Sequence, residues 1–321
     1  MQPEVAAAIP ELVERGLLPP DQAPRLLRAA RGELVSVREE LRLVLYAAVL
    51  LITGGAGLLV RQNLDRLGPV AVAALLGLAA AACLLWAWRT SPPFAWGDVA
   101  SPNLAFDYVL LLGVLLAAAD LAYVEWKFTP LGEEWPWHLL IVSLGGALSA
   151  FRFDSRVVFS LALSSFAAWR GVSVSFLEAS FWRGSDAALR GNALACGICF
   201  VVLGAVLAAT GRKAHFEGVA VHLGWLLLLG ALGSWLLDGD EAALPFGLLA
   251  IAVGSALAWR SYARERFPRF AMGVVAAYAG LSRLIAIVVP GETLLFAWLT
   301  FSSVALVVLL FLAHRRIRED A

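Results

Sequence analysis

Ten apolar runs fill the chain from Leu43 to Ala313, and the charge of the connections between them alternates from loop to loop. A helix needs about 20 apolar residues, at 1.5 Å each, to cross the hydrocarbon of a bilayer. In that hydrocarbon every backbone polar group must be satisfied internally, so continuous apolar runs fold as helices. The runs are continuous rather than alternating, which excludes a β-barrel pattern. The expected fold class is all-α: a polytopic transmembrane helix bundle of about ten spans with both ends on one side. Composition agrees, with 60% hydrophobic residues, 16% charged residues and a mean hydropathy of +0.78. Soluble domains carry about 25% charged residues.

The spacing predicts spans at roughly 43–60, 67–88, 105–125, 137–151, 156–170, 191–210, 216–236, 242–259, 269–289 and 291–313. The fourth and fifth are short and separated only by Arg152, Asp154 and Arg156. A re-entrant pair over 137–170 would leave eight full spans and the same topology elsewhere.

Orientation follows from the basic residues. The side holding the N-terminus carries 18 of the 25 Lys and Arg, the other side carries 6, and Arg283 lies within a span. Basic residues mark the cytoplasmic side, so an N-in/C-in arrangement is expected. Tryptophans register the same way. Trp86, Trp88 and Trp259 fall at cytoplasmic span ends, and Trp126, Trp135, Trp137, Trp169 and Trp235 near the opposite ends, where indoles favour the headgroup layer. The domains expected are a cytoplasmic helical hairpin at 1–40, the bundle at 41–315 and a short cytoplasmic tail at 316–321. No apolar signal segment stands in the first forty residues.

The N-terminal unit begins with a helix over Ala6 to Glu14, its apolar face formed by Ile9, Leu12 and Val13, and ended by Gly16. Pro20 suits the first turn of a second helix with Ala23, Leu26, Leu27 and Ala30 on one stripe. Such a hairpin either lies on the membrane surface or docks a partner protein.

A resemblance rests on these residues. A Gly-Leu-Leu-Pro-Pro-Asp-Gln-Ala helix start at Gly16 to Ala23 precedes an amphipathic helix. A first span containing Thr53-Gly54-Gly55-Ala56-Gly57-Leu58-Leu59-Val60 then runs into Gln62-Asn63-Leu64-Asp65. Over about the first 90 residues the chain resembles the bacterial membrane proteins grouped as the domain of unknown function 2157 family. That family places an aromatic residue where Leu64 stands. The resemblance implies a polytopic inner-membrane protein with a cytoplasmic N-terminal helical unit, and no assigned activity.

Few residues carry chemistry. Asp120 and Arg283 lie 15 and 14 residues along the third and ninth spans, hence at matched depth. Each charge alone in lipid costs at least ~2.5 kcal/mol. They are therefore expected to pair, as a substrate or proton site, a structural ion pair, or two snorkelling residues. His222, about six residues into the seventh span, completes the candidate intramembrane polar site. Cys196 and Cys199 share a helix face without a second ligand pair. Gly54 with Gly57, Gly145 with Gly146 and Gly230 with Gly233 suit close helix packing. The 171–190 connection, with Phe176, Leu177, Phe181 and Trp182 among Glu178, Arg183 and Asp186, reads as an interfacial helix.

No catalytic, cofactor or metal motif emerges, so no enzyme is expected. Zero net charge argues against nucleic acid as a partner. The lipid bilayer is the expected environment, with a protein partner at residues 1–40. The leading expectation is a structural or accessory membrane component. The alternative is a small-molecule transporter of five-plus-five inverted-repeat type around Asp120 and Arg283.

Overall fold

The structure, a computed structural model, describes residues 3–16, 19, 22–30, 38–63, 68–99, 101–103, 105–128, 137–171, 187–237, 240–264, 266–289 and 291–319. Among these no strand occurs. The 64–67 turn and most of the predicted interfacial helix, 172–186, lie outside the described residues. The chain forms two compact units, Met1–Gln62 and Asn63–Ala321.

The first unit holds α1 (Pro3–Glu14), α2 (Ala23–Ala30) and α3 (Arg38–Asn63). α1 starts earlier than expected and packs on α2. Gly16, at φ +70°, ends it in the left-handed conformation that closes helices. Ile9 is buried and Val13 half-buried, but Leu12 faces out. Ala23 and Leu27 turn inward on α2.

The second unit holds α4 (Pro69–Thr90), α5 (Phe106–Phe128), α6 (Trp137–Phe153), α7 (Arg156–Trp169), α8 (Ala187–Thr210), α9 (Glu217–Leu236), α10 (Asp240–Tyr262), α11 (Phe267–Val288) and α12 (Glu292–Glu319). Seven helices of this unit are long and apolar enough to cross a membrane: α4, α5, α8, α9, α10, α11 and α12. Val44–Gly55 in α3, together with α6 and α7, are shorter apolar helices. Large side chains point outward along them, Phe296, Phe301, Val304 and Phe311 of α12 among them. In water such a surface would aggregate; in lipid it is the solvated face.

Sequence neighbours pack in pairs: α4 on α5, α6 on α7, α8 on α9 and α10 on α11. Between pairs the helices touch less, chiefly α7 on α5 and α9, and α9 on α10 and α11. Glycines set the separation within pairs, because lipid gives helices no hydrophobic drive to associate. A Cβ on Gly254 of α10 would stand 2.5 Å from the Gly273 carbonyl oxygen of α11, and one on Gly273 would stand 2.6 Å from that of Gly254. Gly197 of α8 and Gly224 of α9 face each other in the same way, at 2.9 and 2.8 Å. Of the expected glycines, Gly146 packs closely on Ala162 of α7, at 3.3 Å, whereas Gly54 and Gly145 meet nothing within 4 Å. Close spacing along one helix does not by itself place a small residue opposite it on the neighbour.

Aromatic and hydroxyl groups fasten α12 to α11. Trp298 Nε1 donates to Ser282 Oγ at 3.3 Å, and Tyr278 Oη and Ser302 Oγ lie 2.9 Å apart. Gly254→Ala is expected to destabilise the bundle by about 1–3 kcal/mol through overpacking, whereas Gly145→Ala leaves stability unchanged or raised. Reversible unfolding in mixed detergent micelles measures both.

Candidate functional site

The connections α4–α5 (91–105), α6–α7 (154–155) and α8–α9 (211–216) meet at one end of the second unit, around the carboxylate of Asp154. α6 ends at Phe153, and Asp154 adopts φ 63°, a left-handed conformation that Asp tolerates better than most residues. Ser155 then caps α7, its Oγ accepting from Val158 N at 3.5 Å. Two residues thus reverse the chain and aim the Asp154 side chain at the neighbouring connections.

Asp154 Oδ2 accepts the backbone N–H of Val99 at 2.5 Å. Its Oδ1 stands 3.0 Å from Lys213 Nζ and 2.6 Å from His215 Nε2. The side chains of Asp154, Lys213 and His215 are only 5%, 1% and 7% exposed. Among the described residues neither Oδ1 nor His215 Nε2 has a directed hydrogen bond, and the contact of Oδ1 with the Lys213 ammonium is an ion pair. Lys213 sits at φ 50°, and its backbone N–H donates to Trp96 O at 2.7 Å. One residue thus fastens the α4–α5 connection through its backbone and α6–α7 through its ammonium. At the rim, Arg156 Nη2 donates to Asp98 Oδ2 at 3.1 Å, and Arg152 Nη1 donates to Pro92 O at 3.3 Å.

Beneath lies an aromatic floor. Phe216 is buried and stacked on Phe159 at 4.6 Å and 15°, with Phe151 edge-on to both. These rings keep water from the charges and lower the local dielectric, which strengthens a matched pair and makes an unmatched one costly.

A second junction continues the line. Glu217, at the start of α9, accepts from Arg266 Nη1 at 2.8 and 3.1 Å and from Arg269 Nη2 at 2.9 Å. This ties α9 to the connection between α10 and α11.

Asp98, Asp154 and His215 bring one ligand-type atom each within 4.8 Å of one another. The donor set does not fit a divalent metal. Lys213 already places a cation 3.0 Å from Asp154 Oδ1, and Arg156 places another on Asp98. An added ion would face both.

The predicted intramembrane residues are not brought together. Asp120 of α5 packs against α4, its Oδ2 3.0 Å from where a Cβ on Gly77 would stand, and its Oδ1 is buried without a hydrogen-bond partner among the described residues. Arg283 of α11 donates through Nε to the Leu236 carbonyl at 2.7 Å, at the open C-terminus of α9. His222 Nδ1 is held by the Gly218 carbonyl one turn back on its own helix. Matched depth fixes position along the bundle axis and not around it, and α5 and α11 belong to different helix pairs. Arg190, expected in a loop, is buried within α8 and donates to Ser234 O at 3.4 Å. Cys196 is buried and Cys199 exposed, so they do not share the inner face.

Residues 10–159 match the family described as Predicted membrane protein (DUF2157). The resemblance read from the N-terminal motifs is shown, and it extends past them to α7. No curated protein and no solved structure matches the chain. The DUF2157 stretch contains Asp98, Asp154 and Arg156, whereas Lys213 and His215 lie beyond it. The junction therefore joins the family region to the rest of the bundle.

Lys213→Met is expected to cost about 3–5 kcal/mol, because it leaves the Asp154 carboxylate buried without its cation. Asp154→Asn combined with Lys213→Met removes both charges and recovers part of that loss. Thermal unfolding of the four proteins of this cycle gives the coupling; additive effects would show that the pair is not linked.

Proposed function

We propose that this protein is a non-catalytic structural or accessory component of the bacterial cytoplasmic membrane, with both ends inside and the N-terminal helical unit docking a protein partner. In this reading α3 and the α6–α7 pair cross as well, making ten spans. The observation that carries it is the use made of the buried ionisable groups. Asp154 with Lys213 and His215, and Glu217 with Arg269, meet at the ends of the helices and hold connections together. Such groups make a rigid face, the property required of a platform. The basic count supports placing that face in the cytoplasm. Lys213, Arg156, Arg266 and Arg269 serve there both as topology determinants and as ion-pair partners.

The transporter reading retains one favourable observation, the unpartnered buried oxygen of Asp120. It lacks the pairing with Arg283 that would have marked a central site.

Topology is tested by reporter fusions. A C-terminal green fluorescent protein is expected to fluoresce, and alkaline phosphatase inserted between α5 and α6 to be active. The opposite pattern would invert the orientation. Function is tested by quantitative affinity purification from bacterial membranes, comparing the full chain with one lacking residues 1–30. The platform reading expects a protein enriched by the first and lost from the second. Solute uptake by proteoliposomes that Asp120→Asn abolishes would instead establish transport.

A further inference from the structure

The α4–α5 connection carries two aromatic rings that its own fold leaves about half exposed, although the Lys213 ammonium lies 5.1 Å from the Phe94 ring centre. Phe94 and Trp96 are 45% and 50% exposed and meet edge to face at 5.1 Å. The segment is nonetheless pinned, by Lys213 N on Trp96 O, by Arg152 on Pro92 O and by Val99 N on Asp154. The rings are therefore presented, not left loose. Basic groups adjoin them. The Arg212 guanidinium lies 5.0 Å from the Trp96 ring centre, and that of Arg152 lies 4.8 Å from Trp88. Arg212 is exposed, with its guanidinium set over the Trp96 ring. Its N–H donors remain available beside an indole.

Position selects the ligand. The surface continues the lipid-facing side of α4, where Leu78, Leu85 and Trp88 point outward, and begins where that candidate span ends. Indole rings at a span end belong at the headgroup level, and an arginine there meets phosphate. A soluble phosphate would engage the guanidinium but would leave both rings in water. We propose that Phe94, Trp96 and Arg212 form a binding site for an anionic phospholipid. The rings contact the glycerol and upper acyl region, and Arg212 holds the headgroup phosphate. This site does not depend on which side of the membrane the face occupies.

Native mass spectrometry of the full chain in mild detergent, titrated with phosphatidylglycerol or phosphatidylcholine, tests it. The wild type is expected to retain phosphatidylglycerol in preference to phosphatidylcholine. Arg212→Gln is expected to weaken phosphatidylglycerol retention by about fivefold, the value of one basic residue near an anionic surface. Arg212→Lys keeps most of the preference, and Trp96→Ala weakens both lipids. Melting temperatures close to wild type confirm that these surface variants fold; a low melting point for one leaves Phe94→Ala to give the same reading as Trp96→Ala. Unchanged phosphatidylglycerol preference in Arg212→Gln, or displacement of the lipid by millimolar inorganic phosphate, would overturn the proposal.

Discussion

Helix pairs in lipid have no hydrophobic reason to join one another, and in this protein buried charge at the connections supplies the join. Within each pair, glycine contacts such as Gly254 with Gly273 bring backbones close enough for dispersion forces to hold them. Between pairs the helical contact is thinner. The Asp154 carboxylate spans that gap. It takes the Val99 amide from the first pair and faces Lys213 and His215 of the third, while belonging itself to the second. Glu217 extends the line to the fourth through Arg266 and Arg269.

Placing these charges at the helix ends has an energetic logic. In mid-membrane an ionised side chain has few partners and no water, whereas at a turn it also finds unpaired backbone N–H and C=O groups. The Asp154 carboxylate uses one such group, the Val99 amide, in addition to side-chain charge, while the Lys213 amide is taken by the Trp96 carbonyl. The Phe159–Phe216 stack closes it from below. A buried ion pair is weak evidence of net stability, because desolvation offsets much of the attraction. Its strength lies in specificity: separating these helix pairs while the charges stay buried leaves Asp154 and Lys213 without each other.

Much of this was legible in the residues. Each predicted apolar run coincides with a helix, because continuous apolar sequence has no other way to satisfy its backbone in lipid. Gly16 ends α1 as expected. The site was not legible. Asp154 reads in sequence as a polar break between two short spans, and Lys213 as one of many cytoplasmic cations. Nothing in their 59-residue separation signals contact. The one available signal was an acidic residue in a two-residue turn among arginines, where a positive-inside loop has no need of it. Asp120 and Arg283 share a depth without meeting for a related reason. Hydropathy reports depth, and lateral placement depends on which helix pairs form.

The central claim is that the connections around Asp154 are structural joints rather than open loops. Hydrogen exchange of the full chain in lipid nanodiscs, read at the backbone amides of Val99 and Lys213, tests it most directly. Both amides are expected to exchange as slowly as those inside α7 and α9, because opening them requires separating the helix pairs. Exchange at the rate of an unstructured loop, with α7 and α9 still protected, would contradict the account.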